Sequence, residues 1–208
     1  MINAKCKICR RLGIKLFLKG EKCLSPKCPM VKKSYPPGQK GKRRIKSLSE
    51  YGKELREKQK LKNWYNLRER QFRKYVKEVL EKRGREDTTA QLIKILESRL
   101  DNVVFKLGFS SSRTKARQLI NHGHFLVNEK PINIPSFLVK KGDKIALGSG
   151  SQKKAVFQNL PTLLKKHQTP SWLELNVEKL EGKVIGAPSL EEAAPPVEIS
   201  AIFEYYSR

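Results

Sequence analysis

Four cysteines crowd into the first 28 residues of the chain. Cys6 and Cys9 enclose two residues, Cys9 and Cys23 thirteen, and Cys23 and Cys28 four. Two close pairs joined by a longer loop is the spacing of a four-thiolate tetrahedral zinc site. The large apolar residues around them are few, mainly Leu12, Ile14, Leu16, Phe17 and Leu18. Such a segment needs a cross-link to fold, and zinc coordination supplies apparent free energies on the order of 10–16 kcal/mol. Ten Lys and Arg among the first 33 residues favour the thiolate form. With all four positions taken by protein sulfur, no open position remains for catalysis, so the reading is one structural Zn2+ at Cys6, Cys9, Cys23 and Cys28. The competing reading is four ordinary reduced cysteines or a redox pair, and the clustering argues against it.

The charge narrows the partner. Over 208 residues, 45 Lys and Arg face 20 Asp and Glu, a formal net charge of +25. Self-repulsion on this scale calls for a compensating polyanion, nucleic acid rather than a membrane surface. Residues 1–46 hold 15 basic groups and one acid, Glu21, whereas 171–208 hold 3 basic and 7 acidic groups. The polyanion contact is therefore expected mainly in the N-terminal half, with the acidic tail facing protein or solvent. Eight Phe, six Tyr and two Trp argue for a folded core rather than general disorder. No apolar run approaches the ~18 residues of a membrane-spanning helix. The first residues contain no apolar signal-like stretch. A cytosolic location is expected, where structural disulfides are rare.

Residues 34–46 contain Pro36-Pro37-Gly38 and Gly41 and read as an extended basic arm carrying Lys42, Arg43, Arg44 and Lys46. Arms of this kind follow phosphates through a groove or channel; a solvated linker is the alternative. Ser49 is placed to cap a helix reaching about Asn63, with Arg56, Lys58, Lys60 and Lys62 largely off its weak Leu55–Leu61–Trp64 stripe. A second helix is expected from Asn66, with Glu69 completing a capping box. Phe72, Tyr75, Val76, Val79 and Leu80 recur at helical spacing, and Arg68, Arg70, Arg73 and Lys74 decorate it. A third is expected from Thr88 or Thr89 to Leu107, stopped at Gly108.

Ser111 or Ser112 then caps a short helix ending at Gly123. At ~100° per residue, Ala116, Leu119 and Ile120 share one arc and face the core. Arg113, Lys115, Arg117, Gln118, Asn121 and His122 share the other. No acid occurs from Arg113 to His124, so this face lacks partners of its own and suits RNA, with Arg forks on phosphates and Gln, Asn and His on sugars or base edges. Short strands are expected at Phe125–Val127, Ile132–Ile134, Phe137–Val139 and Lys144–Leu147. His122 and His124 have no sequence-near Asp, Ser or Cys to form a nucleophile–base set, and no phosphate-binding glycine loop is present.

The stretches Leu96-Glu97-Ser98-Arg99-Leu100-Asp101-Asn102, Ser112-Arg113 through Ala116-Arg117-Gln118-Leu119-Ile120, His122-Gly123-His124, Val127-Asn128 and Gly142-Asp143 resemble the S-four RNA-binding domain. The flanks Tyr35-Pro36-Pro37-Gly38-Gln39, Glu69-Arg70-Gln71-Phe72-Arg73, Pro170-Ser171-Trp172-Leu173-Glu174 and Glu204-Tyr205-Tyr206-Ser207-Arg208 extend the resemblance to the bacterial small-subunit ribosomal protein S-four family, in its zinc-binding variant, over essentially the whole chain. The resemblance implies an α+β fold in three parts: a zinc-bound N-terminal segment and basic arm (1–45), a helical domain (46–92, completed by 165–208), and an inserted S-four domain of two helices and a small antiparallel sheet (93–164). It implies a non-enzymatic constituent of the cytoplasmic small ribosomal subunit. Such a protein binds 16S rRNA, mainly its 5′ domain, and nucleates assembly. It also implies mRNA near its entrance channel, beside Lys42, Arg43, Arg44 and Lys46, and ribosomal protein S-five as partners, with a role in translational accuracy. The RNA-contacting set expected on this basis is Lys42, Arg43, Arg44, Lys46, Arg56, Lys58, Lys60, Lys62, Arg68, Arg70, Arg73, Arg113, Lys115, Arg117, Gln118, His122 and His124. One departure concerns a turn: Asn128-Glu129 stands where Asn-Gly is common.

Two other classes share these signals. An RNA-modifying enzyme or tRNA-binding protein can carry the same module, but it needs a catalytic domain, and the remaining basic helices show no catalytic constellation. A zinc-containing DNA-binding regulator lacks support, because the cysteines do not follow a Cys-Cys-His-His pattern and no heptad dimer helix is present.

Overall fold

The computed structural model describes residues 4–38, 47–82 and 87–208. In chain order the helices are α1 (Ala4–Leu12), α2 (Glu21–Leu24), α3 (Pro29–Lys32), α4 (Glu50–Trp64), α5 (Glu69–Glu81), α6 (Thr88–Glu97), α7 (Leu100–Lys106), α8 (Arg113–Asn121), α9 (Ser149–Gln152), α10 (Leu160–Lys165), α11 (Leu190–Ala193) and α12 (Ser200–Ser207). The strands are β1 (Phe125–Val127), β2 (Lys130–Pro131), β3 (Lys144–Leu147), β4 (Leu173–Asn176) and β5 (Glu181–Val184). Two compact units result: Met1–Leu92 with Ala194–Arg208, and Ile93–Ala193.

In the first unit α12 packs on α4 and α5, and α1 packs on α3 and α4. Ser49 caps α4 as expected, its Oγ accepting from the Gly52 N–H at 3.3 Å. The α5 core side is as the spacing predicts: Phe72, Val76 and Val79 are wholly buried. Its start is not. Asn66 sits at φ +54 and Arg68 occupies the cap position, so no capping box forms and Glu69 is released for other partners.

The second unit is built on one five-stranded antiparallel sheet of order β2-β1-β3-β5-β4. Alternation places Phe125, Val127, Ile145, Leu147, Leu173 and Val184 on the buried face, together with Leu100, Val103, Leu107, Leu119 and Ile120 from the helices. Gly182 lies on that same face, between Ile145 and Leu175 in register. A Cβ there would collide with the Leu107 side chain, so glycine is what lets α7 press onto the sheet. The Asn128-Glu129 turn keeps the hairpin geometry despite lacking glycine, both residues adopting positive φ (+48 and +67). Asn128 holds it: its Oδ1 accepts from the Lys144 N–H at 3.0 Å and its Nδ2 donates to Asp143 at 2.8 Å.

Three expectations are corrected. Residues 165–193 do not complete the helical part; only 194–208 do. The reason is strand pairing, since Ala146 pairs with Glu181 and Leu173 with Val184. The single helix 88–107 is broken at Ser98-Arg99, where Arg99 turns extended and bridges Leu138. The Leu100 N–H then donates to Phe137 O at 2.8 Å and the Val139 N–H to Ser98 O at 2.9 Å. The stretches 132–134 and 137–139 are accordingly not sheet strands; 135–139 wraps the helix break instead, while Ile132 bonds back to Phe125 O.

Candidate nucleic-acid interface and metal centre

Helix α8 opens at Ser112, whose Oγ accepts from the Lys115 N–H at 3.3 Å. Gly123, at φ +71, ends it. Ala116, Leu119 and Ile120 are buried, and the opposite arc splits in two. Lys115, Gln118, Asn121 and His122 are exposed. Arg113, Arg117 and His124 are not free donors, which corrects the expected array.

Arg113 is buried; its Nε donates to Asn102 Oδ1 at 2.7 Å and its guanidinium lies over the Phe105 ring. Asn102 in turn donates to Glu97 Oε2 at 2.8 Å. Arg117 donates through Nε to Asp101 Oδ2 at 3.1 Å. Asp101, 3% exposed, also accepts both arms of Arg99, at 3.0 and 2.8 Å, and Arg99 is itself 1% exposed. Two guanidiniums, the buried Arg99 and the half-buried Arg117, thus share one buried carboxylate. His124 is buried, with Nδ1 2.9 Å from Ser151 Oγ, and its ring packs edge-on to Phe157. Burial, then Lys154 and His122, push its pKa down. The fold thus brings a serine to a histidine, which the local sequence did not show. Among the described residues neither is hydrogen-bonded to a carboxylate, and both are packed inside. The groups that claim Arg113 and Arg117, the Asn102 amide and the Asp101 carboxylate, come from α7, outside the acid-free window.

The α4 row is also largely engaged. Lys58 is buried, donates to Glu69 Oε1 at 2.8 Å and lies over the Tyr205 ring. Lys62 donates to Glu69 Oε2 at 3.0 Å, and Lys60 pairs with Glu57. Burial alone would raise the Glu69 carboxyl, but hydrogen bonds from Lys58, Lys62 and Tyr206 outweigh it and hold it at about 2. The Tyr206 hydroxyl is pushed up by burial and by donating to Glu69. Arg56 caps the end of α1, donating to Leu12 O through Nη2 at 2.8 Å and Nε at 3.3 Å. Arg68, Arg70 and Arg73 are exposed and, among the described residues, form no ion pair. Lys42, Arg43, Arg44 and Lys46 lie outside the described residues.

Cys6, Cys9, Cys23 and Cys28 are all free thiols and line one small cavity, the last three buried. Burial pushes the Cys9 thiol up, a backbone hydrogen bond at Leu16 opposes it, and Cys23, Cys6 and Cys28 each add to it electrostatically. Lys5, Lys15 and Lys19 border the same cavity. The donor chemistry suits a thiophilic metal. As placed, no group of three or more His, Cys, Asp or Glu among the described residues is closed around a metal position.

The family described as ribosomal protein S4/S9 N-terminal domain matches residues 1–97, and the S4 domain matches residues 98–145. The small ribosomal subunit protein uS4A of Alkaliphilus oremlandii is 49% identical over 206 residues, covering 99% of this chain and 98% of the relative. The chain belongs to the ribosomal protein S4 family. Two further members of the S4 family, each called small ribosomal subunit protein uS4, agree over similar lengths. That of Thermotoga petrophila is 46% identical (98% of this chain, 96% of the relative), and that of Thermus thermophilus 44% identical (100% and 98%). The S4 domain match begins at Ser98, where the long helix breaks, and takes in the whole of α8.

Proposed function

We propose that this chain is a structural, RNA-binding constituent of the small ribosomal subunit rather than an enzyme, contacting 16S rRNA mainly in its 5′ domain. The observation that carries the site assignment is the outer face of α8. Lys115, Gln118, Asn121 and His122 are exposed there, while Arg113 and Arg117 are fixed inward on Asn102 and Asp101. The exposed groups supply one cation and several neutral donors and acceptors, a set suited to phosphate, sugar and base edge together. These two inward-held arginines orient the helix that presents them. Arg68, Arg70 and Arg73 on α5 add phosphate contacts, and the arm Lys42, Arg43, Arg44 and Lys46 lies along mRNA near its entrance channel. The acidic C-terminal stretch faces ribosomal protein S-five. Supporting this reading are the family match and the charge, +25 overall.

The cysteine centre holds one structural zinc through Cys6, Cys9, Cys23 and Cys28. Its support is their shared cavity and the segment's small apolar cluster of Cys9, Leu12, Leu16 and Leu18. When bound, zinc would supply the cross-link that this small core lacks.

The test of the α8 face is a Lys115→Ala, Gln118→Ala double variant titrated with a 16S 5′-domain fragment. Affinity is expected to fall about tenfold or more, on the basis of roughly 1–3 kcal/mol per specific contact, with an unchanged thermal melt. Unchanged affinity would move the RNA off this face.

A further inference from the structure

The chain from Lys144 to Leu173 contains no acid, five lysines and one histidine. Nearly all of it lies beyond the S4 domain match, which ends at residue 145. Within it, α9, the 3₁₀ turn Ala155–Phe157 and α10 form a short irregular layer. Phe157, Leu160 and Leu164 are buried in the core of the second unit. That burial turns Lys153, Lys154, Lys165 and Lys166 outward, where all four are exposed and, among the described residues, form no ion pair. Val156 and Leu163 stand exposed beside them, at 54% and 56%.

The layer is tied at its start to the end of α8 and at its end to the end of α7. At its start, the Gly148 N–H donates to His124 O at 3.0 Å and Ser151 Oγ meets His124 Nδ1 at 2.9 Å. The His124 ring then stands between His122, which is on the exposed face of α8, and Phe157. At its end, His167 Nε2 lies 2.7 Å from Lys106 O, and its ring closes on Gly108 in the turn after α7. A buried histidine therefore joins two exposed surfaces that the sequence separates.

We infer that residues 149–167 form a second RNA-phosphate contact surface, continuous with the outer face of α8 through His124, with Lys153 and Lys154 as its first phosphate ligands. The inference rests on the RNA-binding reading above. Four lysines that form no ion pair among the described residues, on a segment with no acid of its own, give a phosphate backbone charge neutralisation, and neutralised phosphates release counterions; Glu129 and Glu181 come near it only at Ser149 and Gln152, and Glu192 only at His167. Lysine provides a point charge without a fixed fork, so this surface strengthens and orients binding without reading sequence. A strand held by α8 would pass onto it at His122.

The experiment titrates the full-length chain with the 16S 5′-domain fragment across a salt series. It compares wild type, Lys153→Ala with Lys154→Ala, and a charge-matched control, Lys140→Ala with Lys141→Ala. Lys140 and Lys141 are also exposed but precede β3, at the strand end opposite to α9. The Lys153/Lys154 variant is expected to lose about two phosphate equivalents of salt slope, making the fall in affinity between 50 and 200 mM salt roughly tenfold smaller than for wild type. The control keeps the wild-type slope. A wild-type slope in the Lys153/Lys154 variant overturns the inference and points the patch to an acidic protein partner. Equal losses in both variants overturn it too, because total charge alone would then be read. If wild type itself does not bind the fragment, the broader functional reading fails instead.

Discussion

Glu69 shows how much one carboxylate can organise. It accepts from Lys58 and Lys62 on α4 and from the Tyr206 hydroxyl on α12, tying three helices at one point. Its pKa is lowered from an ordinary 4.5 to about 2. A depressed carboxyl contributes stability that is fully present above the unfolded pKa and is lost as pH falls through the folded one. The window is thus from about pH 4.5 down to about pH 2. The full shift corresponds to ~3 kcal/mol, but the side chain is 46% exposed, and solvent screening reduces this to about 1 kcal/mol. Denaturant unfolding of wild type and Glu69→Gln from about pH 6 to about pH 2 checks this. Wild type is expected to lose about 1 kcal/mol more than the variant over that range. Parallel pH profiles would show that Glu69 does not hold α12. The sequence offered a different role for this residue, a capping partner for Asn66. Nothing local in the sequence revealed that Lys58, 11 positions back, and Tyr206, 137 positions on, would converge on it.

At the scale of elements, what could be read early was whatever depends on near neighbours. Ser49 and Ser112 cap their helices, Gly108 and Gly123 end theirs at positive φ, and the apolar arc of α8 is buried as its periodicity requires. What could not be read depends on distant pairing. β4 and β5 have plain alternation at Leu173, Leu175, Gly182 and Val184, but their acidic flanks hid a sheet that closes on β3. The donor face of α8 was over-read for the same reason, since Asp101 and Asn102 reach it from α7. The cysteine segment makes its own prediction at this scale. Its apolar cluster is small, so on the proposed four-thiolate site Cys9→Ser is expected to abolish binding of one zinc equivalent and loosen residues 4–33, leaving the second unit folded. Elemental analysis of the purified protein, paired with hydrogen exchange by segment, reads both effects. Full zinc content in the variant would remove Cys9 from the ligand set.

At the scale of the whole molecule, surplus positive charge is partitioned between holding the fold and meeting a polyanion. Lys58, Lys62, Arg99, Arg113 and Arg117 are engaged in internal ion pairs or hydrogen bonds. Arg68, Arg70, Arg73, Lys115, Lys153 and Lys154 are left exposed for outside partners. Net charge therefore points to a polyanion, and the exposed cations are where the account places its contacts. The account stands or falls on selectivity, because any chain of +25 binds nucleic acid at low salt. The deciding measurement is binding of the full-length chain to the 16S 5′ domain, to tRNA and to duplex DNA across one salt series. The account predicts tight binding to the 5′ domain that persists at moderate salt while the other two are lost. Equal affinities that collapse together as salt rises would contradict it.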